Sequence, residues 1–220
     1  TPYGEPSGAL TFGRLCEHPV VFLARHGYGH TIPPHQVNYQ ANLWALKEAR
    51  AEVIISVASV GGIRADLCPG TLVVPDQIID YTWGRKSTFH EGLDEPVVHI
   101  DFTEPYDAAV RRRILAAGAA AGEKVFDGAV YAATQGPRLE TAAEINRLAR
   151  DGADVVGMTG MPEAALAREL GIPYAAINVV ANYAAGRADS SQRICFDSIE
   201  TVLHEAMGRV RKVLEHLCTV

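Results

Sequence analysis

Apolar residues along this chain gather in short, nearly unbroken runs, and the stretches between them repeat at helical spacing. VVFLARHG (20–27), AEVIISVASVGG (51–62) and TLVVPDQII (71–79) are β-branched or apolar runs bounded by glycine, proline or charge. Such runs suit strands covered on both faces. Weaker runs at 128–134, 154–158 and 174–180 predict three more strands. Helical spacing marks 37–50, 105–121, 141–150, 162–170 and a long final segment at 197–217. Thr141 followed three residues later by Glu144 is a capping-box signal for the third of these. Asp197 is the expected N-cap of the last. The polar stretch RADSSQR (187–193) reads as a loop. Strands alternating with helices predict a single-domain α/β architecture around a parallel or mixed sheet.

Composition narrows the class only a little. Hydrophobic residues make up 48% of the 220, charged residues 21%, as in ordinary globular proteins. No apolar run approaches the ~20 residues of a membrane helix. The formal net charge of −6 argues against a nucleic-acid footprint. A small anion would therefore need a local cluster of positive groups. Cys16, Cys68, Cys195 and Cys218 show no metal-ligand spacing. They read as free thiols, which places the chain in a reducing cytoplasm.

Ligands of open α/β sheets collect at the carboxyl ends of strands, and five polar clusters fall there. Arg25-His26-Gly27 ends the first predicted strand. Its guanidinium fork suits phosphate, but a salt-bridged arginine capping the sheet would look the same. Ala58-Ser59-Val60-Gly61-Gly62 could form an anion-cradling turn. The stretch from Gln135 to Thr141 includes Leu139 and Glu140, and Glu140 could accept hydrogen bonds from a base edge or serve as a first-turn carboxylate. Thr159, beside Met158, could donate to phosphate or cap a helix. Asn182 closes another predicted strand. No zinc signature, Walker loop or dinucleotide fingerprint is present.

Taken together, these segments resemble the trimeric family of purine nucleoside and methylthioadenosine phosphorylases. RHGYGHTIPPHQVNYQANLWALKE (25–48), HIDFTEPYD (99–107), TQGPRLETAAE (134–144) and GADVVGMTGMPEAALARELGIPYAAI (152–177) carry the resemblance, which runs over essentially the whole chain. It implies a mixed, partly barrel-like sheet flanked by helices, and a homotrimer. It implies that Arg25, His26, Ser59 and Thr159 surround phosphate and that Met158 lies under the ribose. His99 would reach into a neighbouring subunit's site. Glu140 and Asn182 would read the purine, as the residues closest to the chemistry. Ala58 and Leu139, next to these groups, count with the substrate-binding residues. Phosphate is a co-substrate, and no metal or other cofactor is expected. The family begins with a strand and a Gly-rich phosphate loop that nothing before Thr1 supplies, so an upstream segment is expected to have been lost or left out.

Subfamily positions sharpen the expectation. Relatives that act on methylthioadenosine have aspartates where this chain has Asn182 and Ala184. An asparagine amide can donate to N7 or O6 of a 6-oxopurine, and Glu140 can accept from its N1–H. At the sugar end, Phe196 stands where inosine-cleaving relatives have a histidine for the 5′-hydroxyl. The expected substrate is thus 5′-methylthioinosine. Methylthioadenosine, inosine or guanosine phosphorolysis and a non-catalytic nucleoside-binding trimer are the alternatives. Phe196 could instead be only a core anchor for the last helix.

Overall fold

A computed structural model describes residues 1–92 and 96–219. Two strands, β1 (Thr11–Leu15) and β2 (His18–Phe22), form an antiparallel hairpin separate from the main sheet. Next come α1 (Tyr39–Glu48), β3 (Ile54–Gly62), β4 (Leu72–Val74) and β5 (Gln77–Asp80). After a long connection the chain forms α2 (Ala108–Ala120), β6 (Val125–Asp127), β7 (Val130–Ala133), α3 (Ala142–Arg150) and β8 (Val155–Gly157). It ends with α4 (Gly160–Glu169), β9 (Tyr174–Tyr183) and α5 (Phe196–Leu217).

The seven-stranded sheet has the order β5-β7-β8-β3-β9-β4-β6. It is mixed: β5, β7 and β8 run parallel to one another, as do β3 with β9 and β4 with β6. The β3–β8 and β4–β9 pairs are antiparallel. The sheet curls part way towards a barrel, as expected. Strand β9 has eight consecutive buried residues, so both its faces are covered. One face packs on α2 and α5 through Ile114, Ile177, Val210 and Val213. Tyr131, Leu43, Leu166 and Val180 belong to the largest core cluster. Strand β3 pairs with β9 along its whole length, but with β8 only at Gly61 and Gly62. The other edge of its first residues therefore faces the cleft described below. No helix among the described residues is long and apolar enough to cross a membrane.

Several expected elements need correction. The run 20–27 is not a central strand: β2 stops at Phe22, pairs only with β1 and is mostly exposed. Its partner was unreadable because the hairpin turn uses Cys16 and Glu17, both at positive φ (45° and 63°), where Asn-Gly is the usual signal. The run 71–79 splits around Pro75 into β4 and β5, which lie far apart in the sheet. Proline cannot donate to a ladder. Strand β6 was not anticipated; its three residues are too few to show a period. Thr141 does form a capping box with Glu144. Asp197 is not the N-cap of α5: Cys195 is, and Asp197 lies in the first turn.

Candidate active site

A cleft of about 1670 Å³ runs between the hairpin, β3 and the carboxyl ends of β8 and β9. It exceeds the roughly 300–1,000 Å³ of a usual small-molecule site. Arg25, His26, Ala58, Ser59, Leu139, Glu140, Met158, Thr159, Asn182 and Phe196 all line it. Residues up to 171 apart in sequence thus meet along one wall system. His99 does not line the cleft; it is exposed on the long connection before α2.

The local frames differ from those expected. Arg25 and His26 sit in a turn after β2, closed by the Gly27 N–H donating to Ala24 O at 2.9 Å. Ala58 to Gly62 are not a turn but the last residues of β3, with a bulge between Val60 and Gly61. Ser59 is exposed on that strand. Asn182 lies within β9, and its Nδ2 donates to Tyr183 O at 2.6 Å.

Arg25 is salt-bridged, as the simpler reading of its tripeptide allowed. Its Nη1 donates to Glu163 and, at 3.0 Å, to Ser56 Oγ; its Nη2 donates to Val57 O at 2.7 Å. The side chains of Arg25 and Glu163 are only 14% and 10% exposed, so the pair is largely desolvated. Burial pushes the Glu163 carboxyl above its ordinary value, against the pull of Arg25. These contacts use three of the five guanidinium donors. Glu163 lies in the family segment 152–177, but neither it nor Ser56 carried an assigned role in the sequence. Glu163 lies 138 residues from Arg25, and only folding makes the two partners.

His26 Nδ1 is 2.8 Å from Ile32 O. A carbonyl only accepts, so Nδ1 carries the proton, and Nε2 of the neutral ring is left as an acceptor. The His26 and His30 rings lie 4.6 Å apart. Burial lowers the His26 pKa, joined by Arg25 and His30 and opposed by the Ile32 carbonyl. The unfolded chain, with a histidine pKa of about 6.5, therefore takes up this proton first. The stability contributed by neutral His26 is complete above roughly pH 6.5 and is lost as the pH falls towards its folded pKa. His26→Asn should flatten the fall in Tm between about pH 7.5 and 5.5. An identical fall in the variant and the parent would contradict this assignment.

Glu140 is held by Thr134, whose Oγ1 donates to Oε1 at 2.6 Å. Its Oε2 accepts no hydrogen bond among the described residues. Thr159 is the N-cap of α4 by position, but its side chain does not cap the helix. Its N–H donates to Tyr131 Oη at 3.2 Å. Phe196 is 68% exposed, which rules it out as a core anchor and leaves its ring as cleft wall. Among the described residues no group of histidine, cysteine and carboxylate side chains could hold a metal ion.

The model of the phosphorylase superfamily matches residues 1–219. The chain belongs to the phosphorylase superfamily. A probable S-methyl-5′-thioinosine phosphorylase of Pseudomonas syringae pv. tomato is 54% identical over 214 residues, 97% of this chain and 86% of that protein. A 6-oxopurine nucleoside phosphorylase of Pyrococcus furiosus is 48% identical over 191 residues, 84% of this chain and 71% of that protein. Among solved structures, methylthioadenosine phosphorylase from Schistosoma mansoni in complex with adenine superposes with a TM-score of 0.93 at 32% identity. The match covers all of this chain and 82% of that one. The superfamily and these relatives make the chain a phosphorylase enzyme of the pentosyltransferase type.

Proposed function

We propose that this chain cleaves 5′-methylthioinosine with phosphate, giving hypoxanthine and 5-methylthioribose-1-phosphate. The observation that carries the reading is the pairing of Glu140, fixed by Thr134, with Asn182 in a cleft that also holds Arg25, His26 and Thr159. The names of two relatives, each 54% identical to this chain, support it. Glu140 accepts from the purine N1–H, and the Asn182 amide donates to N7 or O6 as the leaving base gains charge. Adenine has no N1–H, so Glu140 would face an acceptor, at a cost of about 1–3 kcal/mol. The sugar develops oxocarbenium character. Phosphate, held by Arg25, His26, Ser59 and Thr159, is both nucleophile and counter-charge. Met158 supports the ribose, with Ala58 and Leu139 beside the substrate. The protein's work is positioning and electrostatic stabilisation, with phosphate as co-substrate and no resident cofactor.

The assembly we propose is a homotrimer in which His99 completes a neighbour's site. A head-to-tail contact of this kind must close into a ring to avoid open filaments. All four cysteines are free thiols, which suits the cytoplasm as the proposed location.

Phe196 sets the sugar preference. Covering a methylthio group gains on the order of 1–2 kcal/mol, and an unpartnered 5′-hydroxyl costs about 1–3 kcal/mol. Hypoxanthine release should require phosphate, and methylthioinosine should exceed inosine roughly 30-fold or more in kcat/KM. Phe196→His should narrow that gap by giving the hydroxyl a partner. Equal kcat/KM for the two nucleosides in the parent enzyme would exclude an apolar 5′ pocket.

A further inference from the structure

The segment after β5 sends one side chain, Arg85, between the ends of two neighbouring strands. Its Nη2 donates to Thr134 O at 3.2 Å and Gln135 O at 3.0 Å, just beyond β7. Its Nη1 donates to Met158 O at 2.7 Å, just beyond β8, and to Met161 O at 2.6 Å, at the start of α4. Tyr39 Oη accepts from the same nitrogen at 3.2 Å, and the guanidinium carbon lies 5.5 Å from the Tyr39 ring centre. The Nε is buried and has no hydrogen-bond partner among the described residues. Buried polar groups are seldom left so; here the side chain reaches the four carbonyls at the expense of its third nitrogen.

The two backbones it joins carry different halves of the cleft. Thr134 holds Glu140 through its hydroxyl. Met158 adjoins Thr159 and packs against Gly136, where a Cβ would collide with the methionine sulfur. A guanidinium is a flat fork of fixed dimensions, so the spacing of the two backbones is set by one rigid group. We infer that Arg85 is a positioning residue that fixes the distance between the base-reading and anion-binding sides of the cleft. This rests on the proposed function of those sides. In-line attack needs base, sugar and phosphate registered closely, and a misplacement of about 1 Å lowers the rate on the order of 100-fold. Either half-ligand alone touches one side and does not need the spacing.

The test compares Arg85→Ala and Arg85→Lys with the parent enzyme. The measurements are kcat, KM for methylthioinosine and for phosphate, the Kd of hypoxanthine alone by calorimetry, and Tm. The inference predicts a kcat about 100-fold lower in Arg85→Ala, with hypoxanthine affinity and both KM values changed only a few-fold. Millimolar guanidinium should restore part of the lost kcat. Lysine offers its donors from a single point and cannot bridge both backbones, so Arg85→Lys should show the same split between kcat and KM even if the alanine variant does not fold. A folded variant with kcat within about threefold of the parent overturns the inference and leaves the function standing. So does a loss shared equally by hypoxanthine binding, KM and kcat, which is the mark of a general structural role. A parent enzyme that cleaves no purine nucleoside overturns the functional reading itself, and this inference with it.

Discussion

Glu163→Ala should be the most destabilising single change at the cleft. It strands the Arg25 charge in a position where both side chains of the pair are nearly excluded from water. Removing one partner of a buried ion pair costs about 3–5 kcal/mol, a large share of a typical 5–15 kcal/mol stability. For a chain of this size that corresponds to a fall in Tm of roughly 6–20 °C. Arg25→Ala should fall by a similar amount, because it strands Glu163. Lost activity in either single variant therefore does not show what Arg25 does to phosphate. The double variant Arg25→Met, Glu163→Leu separates the two effects. Replacing a buried pair by apolar side chains of similar volume is often neutral or stabilising, so Tm should return to near the parent value. Phosphate-dependent turnover should not return. A double variant that melts like the parent and still uses phosphate normally would remove Arg25 from the anion site. A Glu163→Ala variant that melts within about 1 °C of the parent would show that the pair is not desolvated in solution.

Glu140→Gln should give the largest loss of activity without a comparable loss of stability. Glu140 is only partly buried, and its one internal partner is the Thr134 hydroxyl, which also lies 3.3 Å from Gly157 O. Thr134 therefore keeps an acceptor after the change. Removing a preorganised charged acceptor at the leaving base should lower kcat/KM for methylthioinosine on the order of 100-fold. The glutamine amide can donate to the unprotonated N1 of adenine, so the ratio of methylthioadenosine to methylthioinosine activity should rise. Asn182→Asp should push the same ratio further. The additional change Ala184→Asp, attractive from sequence alone, is a poor choice in the folded chain. Ala184 is 2% exposed, packs with Ile63, Ile145 and Val156 and borders the cleft, so a carboxylate there would lower stability wherever no bound base partners it. An unchanged base ratio in Glu140→Gln would mean that Glu140 does not face N1.

The sequence displayed the periodic parts of the fold and hid the parts made by tertiary contact. Strands β3 and β9 were visible because burial on both faces demands continuous apolar runs. Helix α3 was visible because Thr141 and Glu144 cap it through local hydrogen bonds. The first predicted strand failed because 20–27 is equally apolar as an edge hairpin, and its Cys-Glu turn gives no glycine signal. The candidate site residues stood out only as a family pattern; all but His99 converge on one cleft, and that convergence follows from the curl of the sheet rather than from any spacing. Arg85 left no such trace, and Glu163 stood in the family segment 152–177 without an assigned role. One is an arginine in a polar loop and the other a first-turn glutamate, and each acquires its role from groups far away along the chain.

The reading of Glu140 and Asn182 rests on the choice of a 6-oxopurine over a 6-aminopurine base. Its most direct test is kcat/KM of the parent enzyme for methylthioinosine and for methylthioadenosine, measured side by side at saturating phosphate. Methylthioinosine should be preferred by roughly fivefold or more, from the cost of about 1–3 kcal/mol of Glu140 opposing adenine N1. A preference for methylthioadenosine would contradict it.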